Sequence, residues 1–256
     1  MEATHSREQV MGHNRTGIKA PPVDGRALER TASGAPPPHT ESLRATGMRE
    51  KFTGQAGRFG SVPAVASVRR MAEMALHGLQ WHRLASFIDK LGERLAFERS
   101  GVRAYEAVLV KFEALGTWQG GPSRDLLREQ CNEELAHFHM IKQILEHLGA
   151  DPAAMTPSAD VAAVQVSGVF KVLADPRASL SQVLRALLVL EDVDADGWDM
   201  LVEVAASTRQ DQLASRFRDA LATEETHKES VRGWLSHAAL ADAQRTGDGW
   251  QQASMH

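Results

Sequence analysis

The sequence is poor in cysteine, in aromatic residues and in long apolar runs. Its 256 residues include one cysteine, Cys131, which excludes a disulfide within the chain and a cysteine-rich zinc or iron–sulfur site. Aromatic residues make up 5% of the chain, with a single tyrosine. No apolar run approaches the roughly 18 residues that a membrane-spanning helix needs. We therefore expect a protein of a reducing compartment that does not enter a membrane.

The charge balance narrows the classes of partner. The formal net charge is -4, which disfavours a general role on nucleic acids or on membrane surfaces. The first 17 residues lack the apolar core of a signal peptide. These features predict a cytoplasmic protein with neither a nucleic-acid nor a membrane partner.

Residues 1–80 differ in composition from the rest of the chain. Six of the ten prolines lie at or before Pro63, and the stretch "TASGAPPPHTES" shows no apolar period. Such composition is typical of extended or disordered chain. We predict an N-terminal arm that is largely irregular, with a short helix at 63–80.

From residue 86 onward, the apolar residues recur at the three- and four-residue spacing of amphipathic helices. We predict helices over 86–115, 123–148, 179–206 and 211–239. Short loops join the first two and the last two, whereas the link over 149–178 is long enough to cross the bundle and to include a short helix capped by Thr156. The prediction is an all-α four-helix bundle over 86–239, built from two antiparallel hairpins and a long crossover, with a flexible tail over 240–256.

Each apolar stripe is interrupted near its middle by charged residues. In order along the chain, these are Glu98, Glu134, His137, Glu191, Asp194, Glu224 and His227. Ionised carboxylates are costly to bury unless they are paired or bind a metal, and a cluster of them repels itself. A bound cation removes this conflict. Because a Glu and a His three residues apart lie on one side of a helix, each E-x-x-H pair can reach the same ion or two close ions.

The order of these residues is more specific than any one pair. A lone E-x-x-H is a weak signal, since Glu2 and His5 form another in the arm. Twice, however, a lone glutamate on one helix is followed by E-x-x-H on the next. A metal-free bundle with buried acid–histidine pairs is the alternative. Tyr105 lies two turns after Glu98 and is a further candidate.

Four segments carry a resemblance to a known family: "LAFERSGVRAYEAVL", "EELAHFHMIKQILEHLGADP", "LEDVDADGW" and "ALATEETHKE". They resemble the ferritin-like superfamily, and within it the rubrerythrin-like di-iron carboxylate proteins. The resemblance implies two iron ions held by Glu98, Glu191 and the two E-x-x-H pairs, with Glu134 and Glu224 bridging them. It also implies that Asp194 stands where rubrerythrins have an extra glutamate ligand. Tyr105 would be a tyrosine beside the metals that gives up a proton or an electron.

The resemblance implies a di-iron oxidoreductase that acts on hydrogen peroxide or O₂ and oxidises Fe(II). No rubredoxin-type CxxC module is present, so an external electron donor protein would be needed. Oxygen-rich ligation with two imidazoles suits iron or manganese better than zinc or copper. The open alternatives are an iron-storage ferroxidase subunit, a catalase with two manganese ions, and a non-catalytic helical scaffold. A homodimer is also compatible with the sequence.

Overall fold

Helices form all the regular structure among the residues that the computed structural model describes, which are 30, 38–57, 60, 62 and 81–253. The chain divides into two units, Met1–Arg58 and Phe59–His256. In the first unit, α1 spans Pro38–Gln55, within the arm for which the sequence predicted mainly irregular structure. The short helix predicted at 63–80 lies outside the described residues.

Six helices lie in the described residues of the second unit. They are α2 (Trp81–Leu115), α3 (Arg124–Leu148), α4 (Pro157–Gln165), α5 (Ser167–Ala174), α6 (Leu180–Ser207) and α7 (Asp211–Ala253). The hairpins α2–α3 and α6–α7 are packed together through α2 and α6, while α3 and α7 touch only sparsely. The crossover carries α4 and α5. The predicted all-α four-helix bundle of two hairpins and a long crossover is confirmed.

Local capping residues explain where several helices begin and end. The Ser123 hydroxyl accepts a hydrogen bond from the Leu126 amide at 3.2 Å and starts α3, and Gly149, at a φ of 78°, ends it. Thr156 caps α4 with Pro157 in its first turn, as predicted. Ser179 and Gln182 form a reciprocal capping box at the start of α6. The sequence therefore encodes these boundaries locally.

Two boundaries differ from the sequence prediction. Helix α2 begins at Trp81 rather than at residue 86, and α7 continues to Ala253 instead of ending at residue 239 with a flexible tail over 240–256. The apolar period stops near residue 239. Such a period indicates which side chains are buried and does not show where the helical backbone ends. Since no proline follows Asp211, nothing in the sequence forces the backbone out of the helix.

The crossover is fixed to α2 at both of its ends. The Asp89 carboxylate accepts hydrogen bonds from the Ser158 amide at 2.9 Å and from the Ser158 hydroxyl at 2.7 Å. Further along α2, the Lys111 ammonium donates to the carbonyls of Asp175 at 2.6 Å and Ala178 at 3.1 Å. These contacts hold the crossover along the bundle.

The bundle core consists of two apolar clusters with a polar layer between them. One cluster includes Leu127, Leu184 and Val231, and the other includes Ile141 and Phe217. Along α3, α6 and α7, the buried charged residues lie between the parts that belong to the two clusters, and along α2 Arg94 and Glu98 flank the point where one cluster gives way to the other. The polar layer is therefore shielded from solvent at both ends. Among the described residues, no helix has both the length and the apolar character of a membrane span.

Candidate metal centre

The polar layer contains all seven of the charged residues that the sequence predicted as metal ligands. The five carboxylates have no exposed surface: Glu98, Glu134, Glu191, Asp194 and Glu224. His227 is 1% exposed and His137 is 8% exposed. Four different helices contribute, so the fold brings together residues that are far apart in the sequence.

The ligand atoms fall into overlapping groups whose members all lie within 4.8 Å of one another. The His227 group consists of Glu134, Glu191, Glu224 and His227, and the His137 group consists of Glu98, His137 and Glu224. A third group joins Glu98, Glu134, Asp194 and Glu224. Glu224 belongs to all three groups and is thus placed to be shared between two ions.

Both imidazoles direct Nδ1 into the polar layer. His137 Nδ1 lies 2.7 Å from Glu224 Oε1 and 3.7 Å from Glu98 Oε2. His227 Nδ1 lies 3.1 Å from Glu224 Oε2 and 3.4 Å from Glu134 Oε1. These atoms are close, but their alignment falls short of a well-formed hydrogen bond, and in the charged imidazolium each Nδ1 carries a proton. The same nitrogen is available to a metal once that proton leaves.

The pKa values show how the buried groups share their charge. Burial raises the pKa of Glu134 and Asp194 well above the usual range, and neighbouring carboxylates raise it further. Burial and the negative charge of Glu224 raise the pKa of Glu191 to about 8. Burial alone would also raise the pKa of Glu224, but its close contacts with the two imidazoles lower it to about 2.

The two histidines have the complementary behaviour. Burial opposes their charged form, but close contact with Glu224 and the negative charge of its neighbours outweigh burial, so the pKa of both His137 and His227 rises to about 9. In the metal-free protein, bound protons therefore offset the buried negative charge, as metal cations could. The cluster is built to hold positive charge.

The chemistry of the donor atoms fits a metal centre. Both oxygens of all five carboxylates, together with both Nδ1 atoms, are buried and lack a well-formed hydrogen bond within the protein. Buried polar groups are normally satisfied, so a concentration of unsatisfied acceptors in one layer requires an explanation. Carboxylate oxygens with two imidazole nitrogens form a donor set suited to iron or manganese.

A glycine makes room for one of the carboxylates. At Gly101 on α2, an added Cβ would collide with the Glu134 carboxylate. An α-helix tolerates glycine at a cost of about 1 kcal/mol relative to alanine. The glycine therefore serves the close approach of the Glu134 carboxylate to α2 and not the stability of the helix.

Arg94 is a member of the polar layer that the sequence reasoning missed. It is 3% exposed, and its Nε lies 3.0 Å from Glu98 Oε1. Its Nη2 lies 2.7 Å from Asp194 Oδ1, and its Nη1 donates to the Asp194 carbonyl at 2.9 Å. The signal that could have revealed it is its position one turn before Glu98, where a side chain shares the buried face.

Glu133 is a second residue that the sequence reasoning missed, because it points about 100° away from Glu134 on the helix. That direction leads to α7, where Glu133 Oε2 lies 2.7 Å from His227 Nε2. The Glu133 side chain is 41% exposed. This contact with Glu133 fixes the orientation of the His227 ring. It forms only because α7 lies next to α3, and the sequence of α3 does not reveal its neighbour.

Tyr105 lies beside the His227 group. It is fully buried, and its ring meets the His227 ring edge-on at a centroid distance of 5.8 Å. Burial, followed by the negative charge of Glu191 and Glu134, raises the pKa of its hydroxyl well above the usual range. The structure thus places Tyr105 where the sequence predicted, and its catalytic role stays a prediction.

Comparison with known proteins gives one match to a family and one to a solved structure. The model of the ferritin-like domain matches residues 88–241. A solved structure of ferritin-like, diiron-carboxylate proteins from Bacillus anthracis is similar at a TM-score of 0.47 and 19% sequence identity, over 61% of this chain and 99% of that one. None of the curated proteins compared matches the chain.

Proposed function

Because the chain belongs to the ferritin-like family, whose model covers the whole polar layer, we propose that it binds two iron ions and reduces hydrogen peroxide or O₂. One observation carries this proposal: five fully buried carboxylates and two imidazole Nδ1 atoms converge without a well-formed hydrogen bond to satisfy them. Two groups of ligands with Glu224 in common suit two ions side by side.

Each group of residues has a defined role in this proposal. Glu134, Glu191 and His227 would hold one ion, Glu98 and His137 the other, and Glu224 both. Bound iron would supply the electrons that reduce the oxidant. The apolar clusters on either side of the layer exclude bulk water, which strengthens the electrostatic interactions inside it.

Glu133 links the outer side of His227 with solvent. Its side chain is 41% exposed, and its carboxylate accepts a hydrogen bond from His227 Nε2. The proton on this outer nitrogen can therefore exchange with solvent through Glu133, and the contact would leave Nδ1 of the ring free for an ion. Electrons would come from a separate donor protein.

Metal analysis of the purified protein tests the binding step. We expect about two iron or manganese ions per chain, and we expect the Glu134→Ala/Glu224→Ala double variant to lose them. The matched control is Glu129→Ala/Glu225→Ala, which removes two exposed carboxylates from the same two helices. A protein that takes up no metal, even from anaerobic Fe(II), contradicts the proposal.

Turnover of hydrogen peroxide tests the reaction. The proposal predicts that the iron-loaded protein consumes peroxide only when a reductant is supplied. Release of O₂ from peroxide without a reductant would instead identify a catalase, which a pair of manganese ions in the same ligands would support. Metal binding without either reaction would leave a metal protein and reject the oxidoreductase.

A further inference from the structure

The two hairpins of the bundle repeat the same arrangement around the polar layer. Glu98 on α2 corresponds to Glu191 on α6, and seven residues after each comes an aromatic ring. Tyr105 meets the ring of His227 edge-on at 5.8 Å, and Trp198 meets the ring of His137 edge-on at 5.2 Å. The repeat gives each histidine the same kind of neighbour.

The repeat breaks at one pair of positions. Four residues before the lone glutamate, α2 has Arg94 where α6 has Leu187; three residues after it, α6 has Asp194 where α2 has Gly101. The Arg94–Asp194 ion pair therefore has no counterpart in the other half of the layer, where Leu187 and Gly101 occupy the corresponding positions. The two metal positions are therefore electrostatically different.

The surroundings of Arg94 are shaped for a guanidinium. Its Cζ lies 4.6 Å from the centre of the Phe97 ring and 5.6 Å from that of Trp198. On α6, Gly197 leaves room for it, since a Cβ at that position would collide with Arg94 Nη1. These two aromatic contacts and the space left by Gly197 show that the polar layer is shaped to hold a guanidinium at this position.

The charge of Arg94 acts most directly on the His137 position, since its closest carboxylates are Glu98 and Asp194. Its guanidinium contacts Glu98 of the His137 group and holds Asp194, whose carboxylate could otherwise serve as a ligand. The His227 group keeps three carboxylates and one imidazole, whereas the His137 group has two carboxylates and one imidazole. Fewer ligands and an adjacent cation both weaken the binding of a second cation.

We propose that Arg94, paired with Asp194, makes the His137 group the weaker of two metal positions, so that the His227 group fills first. Five carboxylates and one guanidinium leave four negative charges in the layer, which two divalent cations balance. Arg94 thus sets the order in which the two positions fill without binding metal itself. This inference rests on the two-ion centre proposed above.

Titration of the metal-stripped full-length protein with Co(II) tests the order of filling, because Co(II) reports binding by calorimetry and by its visible absorption without turnover. We expect two equivalents in two resolved steps, with the first at least tenfold tighter. His227→Ala should lose the first step, and His137→Ala should retain it. Two equivalents of equal affinity overturn this inference and leave the proposed function intact, whereas no uptake of Co(II) overturns both.

Substitution of Arg94 tests the cause of the difference. Arg94→Leu copies the residue at position 187 and should tighten the second step at least tenfold, while Arg94→Lys retains the charge and should leave that step weak. Arg99→Leu removes an exposed arginine from the same helix and serves as the control. Arg94→Gln provides the same neutralisation where Arg94→Leu does not fold. A second step unchanged by loss of the charge overturns the proposal.

Discussion

The two E-x-x-H motifs follow the same pattern of burial, yet they have different neighbours on their outer side. Residues 131–140 of α3 and 221–230 of α7 match position by position in their degree of burial. Glu133, one residue before Glu134, contacts His227 Nε2. Thr223 occupies the equivalent place before Glu224, and its hydroxyl donates to the Asp219 carbonyl of its own helix at 3.2 Å.

In the proposed centre, this difference separates the ligands from the residues that tune them. The ligands would repeat because each of the two ions needs carboxylate and imidazole atoms. Their neighbours do not repeat, so one imidazole is oriented by a carboxylate while the other lies closer to solvent. The two proposed metal positions thus differ because of the residues around the ligands. The E-x-x-H motifs themselves are alike.

The largest effect should follow removal of the one carboxylate that both positions share. Glu224→Ala deletes a ligand from both groups, so we expect loss of nearly all bound metal and of the stabilisation that metal provides. Metal analysis and thermal unfolding with and without metal measure both effects. Glu225→Ala, an exposed neighbour on α7, is the control. Retention of one full equivalent of metal would show that Glu224 is not shared.

Acidity should distinguish the metal-free from the metal-bound layer. The pKa of Glu191, raised from 4.5 to about 8, makes its ionisation costly between those values. The pKa of His137 and His227, raised from 6.5 to about 9, gives stability below pH 6.5 that is lost as the pH approaches 9. Both signs agree, so the free energy of unfolding of the metal-free protein should fall by a few kcal/mol between about pH 5 and pH 9.

Denaturant unfolding of chelator-treated protein across this range measures that slope, and the metal-loaded protein should show a much smaller one. At the acid end, the pKa of Glu224, lowered to about 2, makes stability decrease again below about pH 4.5. If the stability of the metal-free protein is constant or rises from pH 5 to pH 9, the buried carboxylates and imidazoles do not share their protons in this way.

A methyl group on α2 should disturb the His227 group in particular. Gly101→Ala drives a Cβ into the Glu134 carboxylate, and we expect a cost of about 1–3 kcal/mol in stability, as for other overpacked cores, together with loss of the tighter metal position. Gly233→Ala on α7 is the matched control because its added Cβ meets nothing within 4 Å. Equal stability and metal content in the two variants would show that Glu134 yields easily.

The smallest effect should come from the outer contact that only one histidine has. Glu133→Gln keeps the shape of the side chain but removes the charge beside His227 Nε2, and we expect about a tenfold loss in metal affinity, the low end for such partners of metal ligands. Co(II) titration measures it. The control is Glu129→Gln, one turn earlier and exposed. Equal affinities in both variants would remove Glu133 from the centre.

The sequence predicted well which glutamates and histidines meet in the polar layer, because their signal is local. Burial of an amphipathic face fixes the period of a helix, and a glutamate and a histidine three residues apart necessarily share a side of it. Arg94 and Glu133 escaped because their partners lie on other helices. Recognising them required the side-by-side placement of α2 with α6 and of α3 with α7. The arrangement of neighbouring helices is a tertiary property that no single helix encodes.

The helix ends were predictable only where a capping residue marked them. Ser123, Gly149 and Thr156 have side chains or backbone angles that start or stop a helix. The continuation of α7 to Ala253 has no such marker, and a helix can keep its backbone hydrogen bonds after its apolar period has ended. Likewise, α1 forms in a segment whose composition indicated irregular chain. In both places the apolar pattern indicates burial of side chains and does not reveal the helical backbone.

Neither hairpin contains a complete group of ligands. The His137 group takes residues from α2, α3 and α7, and the His227 group from α3, α6 and α7. An unfolded or half-folded chain therefore has no preformed place for a metal, and capture must await the docking of the two hairpins. A bound ion would then act as a reversible cross-link between distant parts of the chain, closing loops of roughly a hundred residues and making metal loading a checkpoint late in folding.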